Sequence, residues 1–425
     1  MREEVIVIVV MTLVVFIGSV ITKNRREWSV VFLLVASLLG SLVSGMGLRI
    51  REIVEGPFGF LDCALSIVAA TLFVFLFYKA GGFQLIFNRI AKVKNRVLKA
   101  ILTLFFIAFP SALTGFCTAS VMTTGVIASK ALKEGGVKDS KVTELVAVGS
   151  FIGMIMPPNS IPAIIASNGA GSVLPTPYNG FYAPLLAFSL PIFILYALVN
   201  MKTLSMGKSE GEGRLGIYFI IALIVILTSF FDGVCGSICY IGGNTLYFFL
   251  ASIGVLVVKK GFGGMKETIK AISDSVMEAV VPVAFLFALG SFIEVSSMTG
   301  VRGLYSLRIL PFDTKAVILF MMAVSLVIGV FFSDSIPAFL ITYAVFPIGW
   351  LCSPVVVTGV SMALALVPLV TLRSSIFEET SFLINSDNPK LLDRAKGIVI
   401  ILVPVIILSV VFVLFGETTL SFLNF

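Results

Sequence analysis

Four short runs hold the side chains that an otherwise apolar chain offers to chemistry. The first is Ser111, Thr114, Gly115, Thr118 and Ser120, five small residues within ten positions. Glycine permits a sharp backbone reversal, and the freed carbonyls and hydroxyls make a hard-oxygen set suited to Na⁺. Small residues that let helices pack closely in lipid are the plainer reading. That reading suits single hydroxyls better than a cluster at a break. The second run is Met156-Pro157-Pro158-Asn159-Ser160-Ile161-Pro162. Adjacent prolines remove two donors and clash with the preceding turn, so a helix stops there. The facing half-helix ends then offer carbonyls, Pro158 among them, to a cation and N–H groups to an anion. Asn159 and Ser160 add side-chain ligands for that anion. The third run, Ser333-Asp334-Ser335, places a carboxylate between two hydroxyls, a donor set for a coupling cation. The fourth is Arg373 with Ser374, where a guanidinium can hold a carboxylate by a bidentate pair. Mutual neutralisation of Asp334 and Arg373 is the plainer alternative. Glu378 and Glu379, just past that run, rank lower as solvent-facing carboxylates.

The chain around these runs is unusually apolar. Of 425 residues, 58% are hydrophobic and 12% charged, with mean hydropathy +1.10; a soluble domain carries about 25% charged residues. A cytosolic enzyme, a nucleic-acid binder and a disordered chain are excluded. The formal charge of +7 therefore reads as membrane topology. There is no histidine, which removes imidazole bases, histidine-ligated metals and Ser-His-Asp triads. With no acid pair and no Gly-x-Ser-x-Gly, the expectation is no enzyme, no transition-metal site and no cofactor beyond a coupling ion. The five cysteines include no C-x-x-C pair, and Cys235 and Cys239 are expected as free thiols.

A span needs about twenty mostly apolar residues. Ten segments qualify: 5–22, 28–45, 58–78, 142–170, 181–201, 215–231, 243–258, 274–296, 355–385 and 398–416. Segments 142–170 and 355–385 are too long for one straight crossing and are broken in the middle. Two further apolar stretches, 100–129 and 316–347, are interrupted at the first and third runs. Segment 79–99 carries six Lys/Arg and no acid, and 130–141 carries four lysines. Both belong in the cytoplasm, so 100–129 enters and leaves on one side as a re-entrant hairpin. Counting crossings also puts 23–27, 202–214, 259–270 and 387–396 inside, with 23 of the 30 Lys/Arg cytoplasmic. Both termini fall outside. Loop 297–315, with Arg302, Arg308 and Lys315 against Asp313, is the exception.

The halves correspond at a shift of about 219 residues, with Gly81 on Gly300 and Thr123 on Thr342. Residues 1–210 and 211–425 thus read as an inverted repeat, each with a hairpin and a broken span. The expected fold is an all-α polytopic membrane protein with about ten spans, two re-entrant hairpins and two broken helices. Paired discontinuous helices in inverted repeats point to a secondary transporter with a midplane site.

At these residues the chain resembles the large membrane subunit of TRAP transporters (tripartite ATP-independent periplasmic transporters), within the ion-transporter superfamily. The run Ile155-Met156-Pro157-Pro158-Asn159-Ser160-Ile161-Pro162 is similar to the family's Ile-Pro-Pro-Ser-Ile-Pro, with Asn159 as an extra residue. The family's Ser-Gly-Ser-Ser at the first tip stands here as Thr114-Gly115-Phe116-Cys117. Its second Pro-Pro break is replaced by Arg373-Ser374-Ser375. The resemblance implies Na⁺-driven uptake of a small organic anion across the inner membrane of a prokaryote. It also implies an elevator-like motion, a small membrane subunit and an extracytoplasmic solute-binding protein. A stand-alone carrier for a dicarboxylate, citrate, H⁺ or arsenite is the alternative within the superfamily. A non-transporting assembly subunit is the alternative outside it.

Overall fold

The computed structural model describes residues 2–22, 26–169, 178–208, 216–235, 243–259, 261–304, 314–332, 352–371 and 374–423. Among them the regular structure is helical throughout, with no strand. The helices are α1 (Arg2–Thr22), α2 (Arg26–Val43), α3 (Ile50–Glu55), α4 (Leu61–Lys79), α5 (Gly82–Ala91), α6 (Arg96–Thr114) and α7 (Cys117–Ser120). They continue with α8 (Val126–Glu134), α9 (Asp139–Met154), α10 (Ile161–Gly169), α11 (Tyr182–Val199), α12 (Met201–Leu204), α13 (Gly216–Cys235) and α14 (Gly243–Val258). The rest are α15 (Met265–Met298), α16 (Thr314–Phe332), α17 (Pro354–Ala365), α18 (Val367–Val370), α19 (Ser375–Leu383) and α20 (Leu391–Phe415). Among the described residues, seven helical stretches are long and apolar enough to cross a bilayer, and four shorter apolar ones accompany them. The chain is an all-α polytopic membrane protein.

Two segments expected as basic loops are partly helical. In 79–99, Phe83, Phe87 and Ile90 share one buried face of α5 while Gln84 and Arg89 stay exposed. Charge density marked the segment as polar, but the spacing of those three residues makes it an amphipathic helix. In 259–270, α15 already begins at Met265, with Lys266, Glu267 and Lys270 exposed.

Contacts between the polar segments gather most of the basic ones at one end of the bundle. Lys79 Nζ donates to Asp274 Oδ2 at 3.0 Å, tying α4 to the start of α15. The Lys208 N–H donates to the Ala131 carbonyl at 3.0 Å, and α5 packs on α8. Lys133 Nζ donates to the Asn385 carbonyl at 2.9 Å, and Ser386 Oγ donates to the Asp139 carbonyl at 2.9 Å. Helix α6 leaves this end and α8 returns to it, so 96–134 enters and leaves on the same side.

Two of the three basic residues in 297–315 are committed to packing. Arg302 is 1% exposed and donates through Nη1 to Ser297 Oγ at 3.0 Å. Lys315 Nζ donates to the Leu414 carbonyl at 2.9 Å, a cation on the last turn of α20, where carbonyls lack intrahelical partners. Arg308 and Asp313 lie outside the described residues. A charge used inside the fold carries no topological signal, which explains the exception.

Close packing of α6 on α9 places the first hairpin against the first broken span. Gly149 and Gly153 make it possible. A Cβ on Gly149 would sit 2.8 Å from Ile107 Cγ2, and one on Gly153 would press into the Ala108 carbonyl oxygen. Gly153→Val is therefore expected to destabilise the protein by about 1–3 kcal/mol, read as a lower unfolding temperature in detergent.

Candidate functional site

The first hairpin turns at Thr114-Gly115-Phe116. Asn95 caps α6, its Oδ1 accepting from the Val97 and Leu98 N–H groups at 2.9 and 3.2 Å. Pro110 sits in the last turns of α6 and is followed by the reversal. Gly115 adopts φ +83°, and its N–H donates to the Ser111 carbonyl at 2.7 Å, the left-handed ending that glycine favours. Hydroxyls lace the two arms together. The Ser111 N–H donates to Ser120 Oγ at 2.8 Å, Ser111 Oγ to the Cys117 carbonyl at 3.3 Å, and Thr124 Oγ1 to the Ile107 carbonyl at 3.3 Å. Thr114 Oγ1 donates back to the Pro110 carbonyl at 2.8 Å. The protons of Ser111, Thr114 and Thr124 are used by the hairpin itself, so only their oxygen lone pairs remain for a cation.

The first interruption seats the tip. Helix α9 stops at Met154, the Pro157–Pro158 bond is cis, and α10 starts at Ile161. Between them, the Asn159 N–H donates to the Ala112 carbonyl at 3.1 Å and Asn159 Nδ2 to the Leu113 carbonyl at 2.6 Å. Ser66 Oγ, from α4, donates to Asn159 Oδ1 at 3.1 Å. Asn159 is 3% exposed and joins three elements. Carbonyls that end α6 lack helical partners, and two of them are satisfied here. Ser160 donates its N–H to Tyr178 Oη at 2.7 Å, while its Oγ is fully buried with no partner among the described residues.

The second interruption forms without a proline pair. Helix α18 ends at Val370, Thr371 and Ser374 are extended, and α19 begins at Ser375. Ser374 Oγ turns back to the Pro368 carbonyl. Thr371 is 1% exposed and its Oγ1 has no partner among the described residues. Arg373 lies outside the described residues, as do Ser333, Asp334 and Ser335 at the expected second hairpin. The described guanidinium at this interruption is that of Arg394, from α20. It is 5% exposed, donates Nη2 to the Thr371 carbonyl at 3.4 Å and stands 5.5 Å over the Phe377 ring. Segment 387–396 was read as a cytoplasmic loop, yet it carries this side chain inward. Cys239 and the side chain of Cys235 are also outside the described residues.

The two broken spans pack antiparallel. Helix α9 lies on α19, and α10 lies on α17, so the interruptions sit side by side. Thr118 links the halves directly, its Oγ1 donating to Glu379 Oε1 at 2.8 Å. Beside it, the Cys117 thiol contacts Met154 Sδ at 3.6 Å. The structure thus brings Ser111, Thr114, Gly115, Thr118, Pro158, Asn159 and Ser160 to one place. Tyr178 joins them through Ser160, and Glu379, ranked low from sequence, joins through Thr118, while Arg394 stands at the second break. Their charges and hydroxyl gain meaning only from burial.

With the geometry described, comparison with known proteins bears on the fold. No family model matches the chain, and no curated protein matches it in sequence. In structure it is similar to the YdaH transporter of Alcanivorax borkumensis, whose crystal structure is described as revealing an unusual topology. The TM-score is 0.62, over 94% of this chain and 99% of that one, at 14% identity. The chain has the fold of a membrane transporter. At that identity the likeness is one of fold.

Gly115 closes the tip onto the interruption, because a Cβ there would collide with the Asn159 carbonyl oxygen. Gly115→Ala combines that collision with a left-handed backbone costing about 1–2 kcal/mol. The expected outcome is a lower unfolding temperature together with faster hydrogen exchange across 111–120, with α1–α2 unaffected.

Proposed function

We propose that the chain is a secondary active transporter that couples a cation, Na⁺, to inward movement of a small organic anion such as a carboxylate. The observation that carries this reading is a buried hydroxyl without a partner among the described residues at each of the two interruptions, Ser160 Oγ and Thr371 Oγ1. A buried polar group left unpaired costs about 1–3 kcal/mol. Two of them at paired helix breaks are groups for a passing ligand to satisfy. Helices α10 and α19 also begin at these breaks, and helix N-termini favour anions. Asn159 and Ser160, with Arg373 and Ser374 beside the second break, are the anion ligands in this reading. The hairpin oxygens of Ser111, Thr114, Gly115 and Thr118, the Pro158 carbonyl, and Ser333, Asp334 and Ser335 serve the cation.

The Pro157-Pro158-Asn159-Ser160-Ile161-Pro162 run, seated at the first break, supports a TRAP-type permease. Such a permease works with a small membrane subunit and an extracytoplasmic binding protein. The alternative is a stand-alone carrier of the same superfamily, and the structural likeness over 99% of a chain described as a transporter supports transport in either arrangement. In both arrangements the protein sits in the cytoplasmic membrane, with its basic end inside and both termini outside.

The test uses purified protein in proteoliposomes, with radiolabelled succinate as probe and an inward Na⁺ gradient. Accumulation that requires the gradient is expected. Ser160→Ala should leave the unfolding temperature unchanged or raise it, since it deletes an unpaired buried polar atom. It should lower uptake about tenfold, since a hydrogen bond to a charged group contributes about 1.5–3 kcal/mol. Unchanged uptake in Ser160→Ala would remove that residue from the pathway. Accumulation with no added protein identifies the stand-alone carrier, and accumulation only with a binding protein identifies the TRAP arrangement.

A further inference from the structure

The first-half site contains no side-chain charge. Residues 100–129 hold no Lys, Arg, Asp or Glu, and neither do residues 145–201. A cation at the hairpin tip and the Pro157–Ser160 break would meet carbonyls and hydroxyls alone. Two carbonyls at the tip already accept from Asn159, and the protons of Ser111 and Thr114 point into the hairpin's own backbone. Transferring an ion from water to such surroundings is costly unless an opposite charge accompanies it. That charge is supplied from the other half of the chain. Glu379, in the second turn of α19, accepts from Thr118 Oγ1 on the return arm of the hairpin. Its Oε2 has no hydrogen bond and the carboxylate no ion pair among the described residues. Helix α19 packs here against α7, against the wide turn Val121–Gly125 and against α9. Wide, π-type turns of this kind leave backbone carbonyls looser and recur at functional sites. Glu379 is half-buried and its neighbour Glu378 exposed, so the carboxylate lies near the protein surface and not deep in its interior.

We propose that Glu379 and Thr118 together form a Na⁺ site shared by the two halves, with Glu379 as its charged ligand. The inference rests on the cation-coupled reading above and deepens it. In the empty state the Thr118 hydroxyl donates to the carboxylate. When Na⁺ binds, that hydroxyl rotates and presents a lone pair, and the carboxylate and hydroxyl oxygens coordinate the ion together. A hydroxyl serves both states, whereas a lysine in place of Thr118 would hold the carboxylate permanently. The set is oxygen only, which suits a hard ion and disfavours soft metals. Occupancy therefore binds the first hairpin to α19 through the ion.

The experiment needs no knowledge of the transported anion. Full-length protein in detergent is titrated with NaCl at constant ionic strength, balanced with choline chloride, and thermal unfolding is recorded. A ligand that binds only the folded state raises the unfolding temperature with concentration. Wild-type protein is expected to show a saturable, Na⁺-specific rise. E379Q should move the half-saturating Na⁺ concentration up by about tenfold or more, equivalent to about 1.4 kcal/mol of lost binding. E379D should shift it less, and T118V should weaken Na⁺ while keeping the carboxylate. Should E379Q fail to fold, the T118V and E379D titrations still decide. Wild-type-like titration in a folded E379Q, or in both T118V and E379D, overturns the site while leaving Na⁺ coupling standing. No Na⁺-specific rise in the wild type overturns the coupling and the site together.

Discussion

Non-helical backbone at membrane depth is tolerable only when every polar group finds a partner inside the protein. Most of what surrounds the site follows from meeting that constraint at Asn159. Two prolines end α9, a reversal ends α6, and each ending exposes carbonyls. Asn159 answers with its N–H and its Nδ2, giving one to Ala112 and one to Leu113, and Ser66 satisfies the oxygen that remains. Hairpin tip, broken span and α4 are thereby fastened at a single buried amide. Glycine at 115 is the steric counterpart, since any side chain would hold the two backbones apart.

The broken helices could be read from the sequence where covalent chemistry dictated them. Pro157-Pro158 and the Thr114-Gly115 reversal act through local geometry, and both fall where the residues place them. Ten apolar segments correspond to helices because lipid demands length and composition. The second break carried a weaker mark, yet it forms at Thr371–Ser374 without a proline pair. Hydroxyl residues compete for backbone there, and packing against α9 and α20 does the rest. Arg394 was missed, and Glu379 ranked low as solvent-facing, for a different reason. Each lies among charged neighbours in sequence, and only tertiary packing turns one under Phe377's helix and the other toward Thr118. Tyr178 was hidden in a segment whose composition announces nothing but a loop.

Hydroxyl clusters proved ambiguous in a physically informative way. Ser111, Ser120 and Thr124 do hold the hairpin together, as the packing reading of small residues supposes, since a hydrogen bond between helices is satisfied in lipid. Ser160 and Thr371, of the same chemical type, remain unpaired among the described residues. Sequence alone does not separate the two groups. What separates them is whether a backbone acceptor lies within reach, and that is a property of the neighbouring strand of chain.

Helix α15 sets a condition on how the molecule sits in its bilayer. Its 34 residues make a rod of about 51 Å, against a hydrocarbon core of about 30 Å. Even at a tilt of about 40°, the upper end for membrane helices, only about 26 residues fit within that core. The remainder has to stand in the headgroup layer or in water, and the end bearing Lys266, Glu267 and Lys270 is the part suited to do so. Membrane thickness thus acts on this protein through one long helix. A thicker bilayer takes up more of α15, and that helix is tied by the Lys79–Asp274 pair to α4, whose Ser66 touches the site.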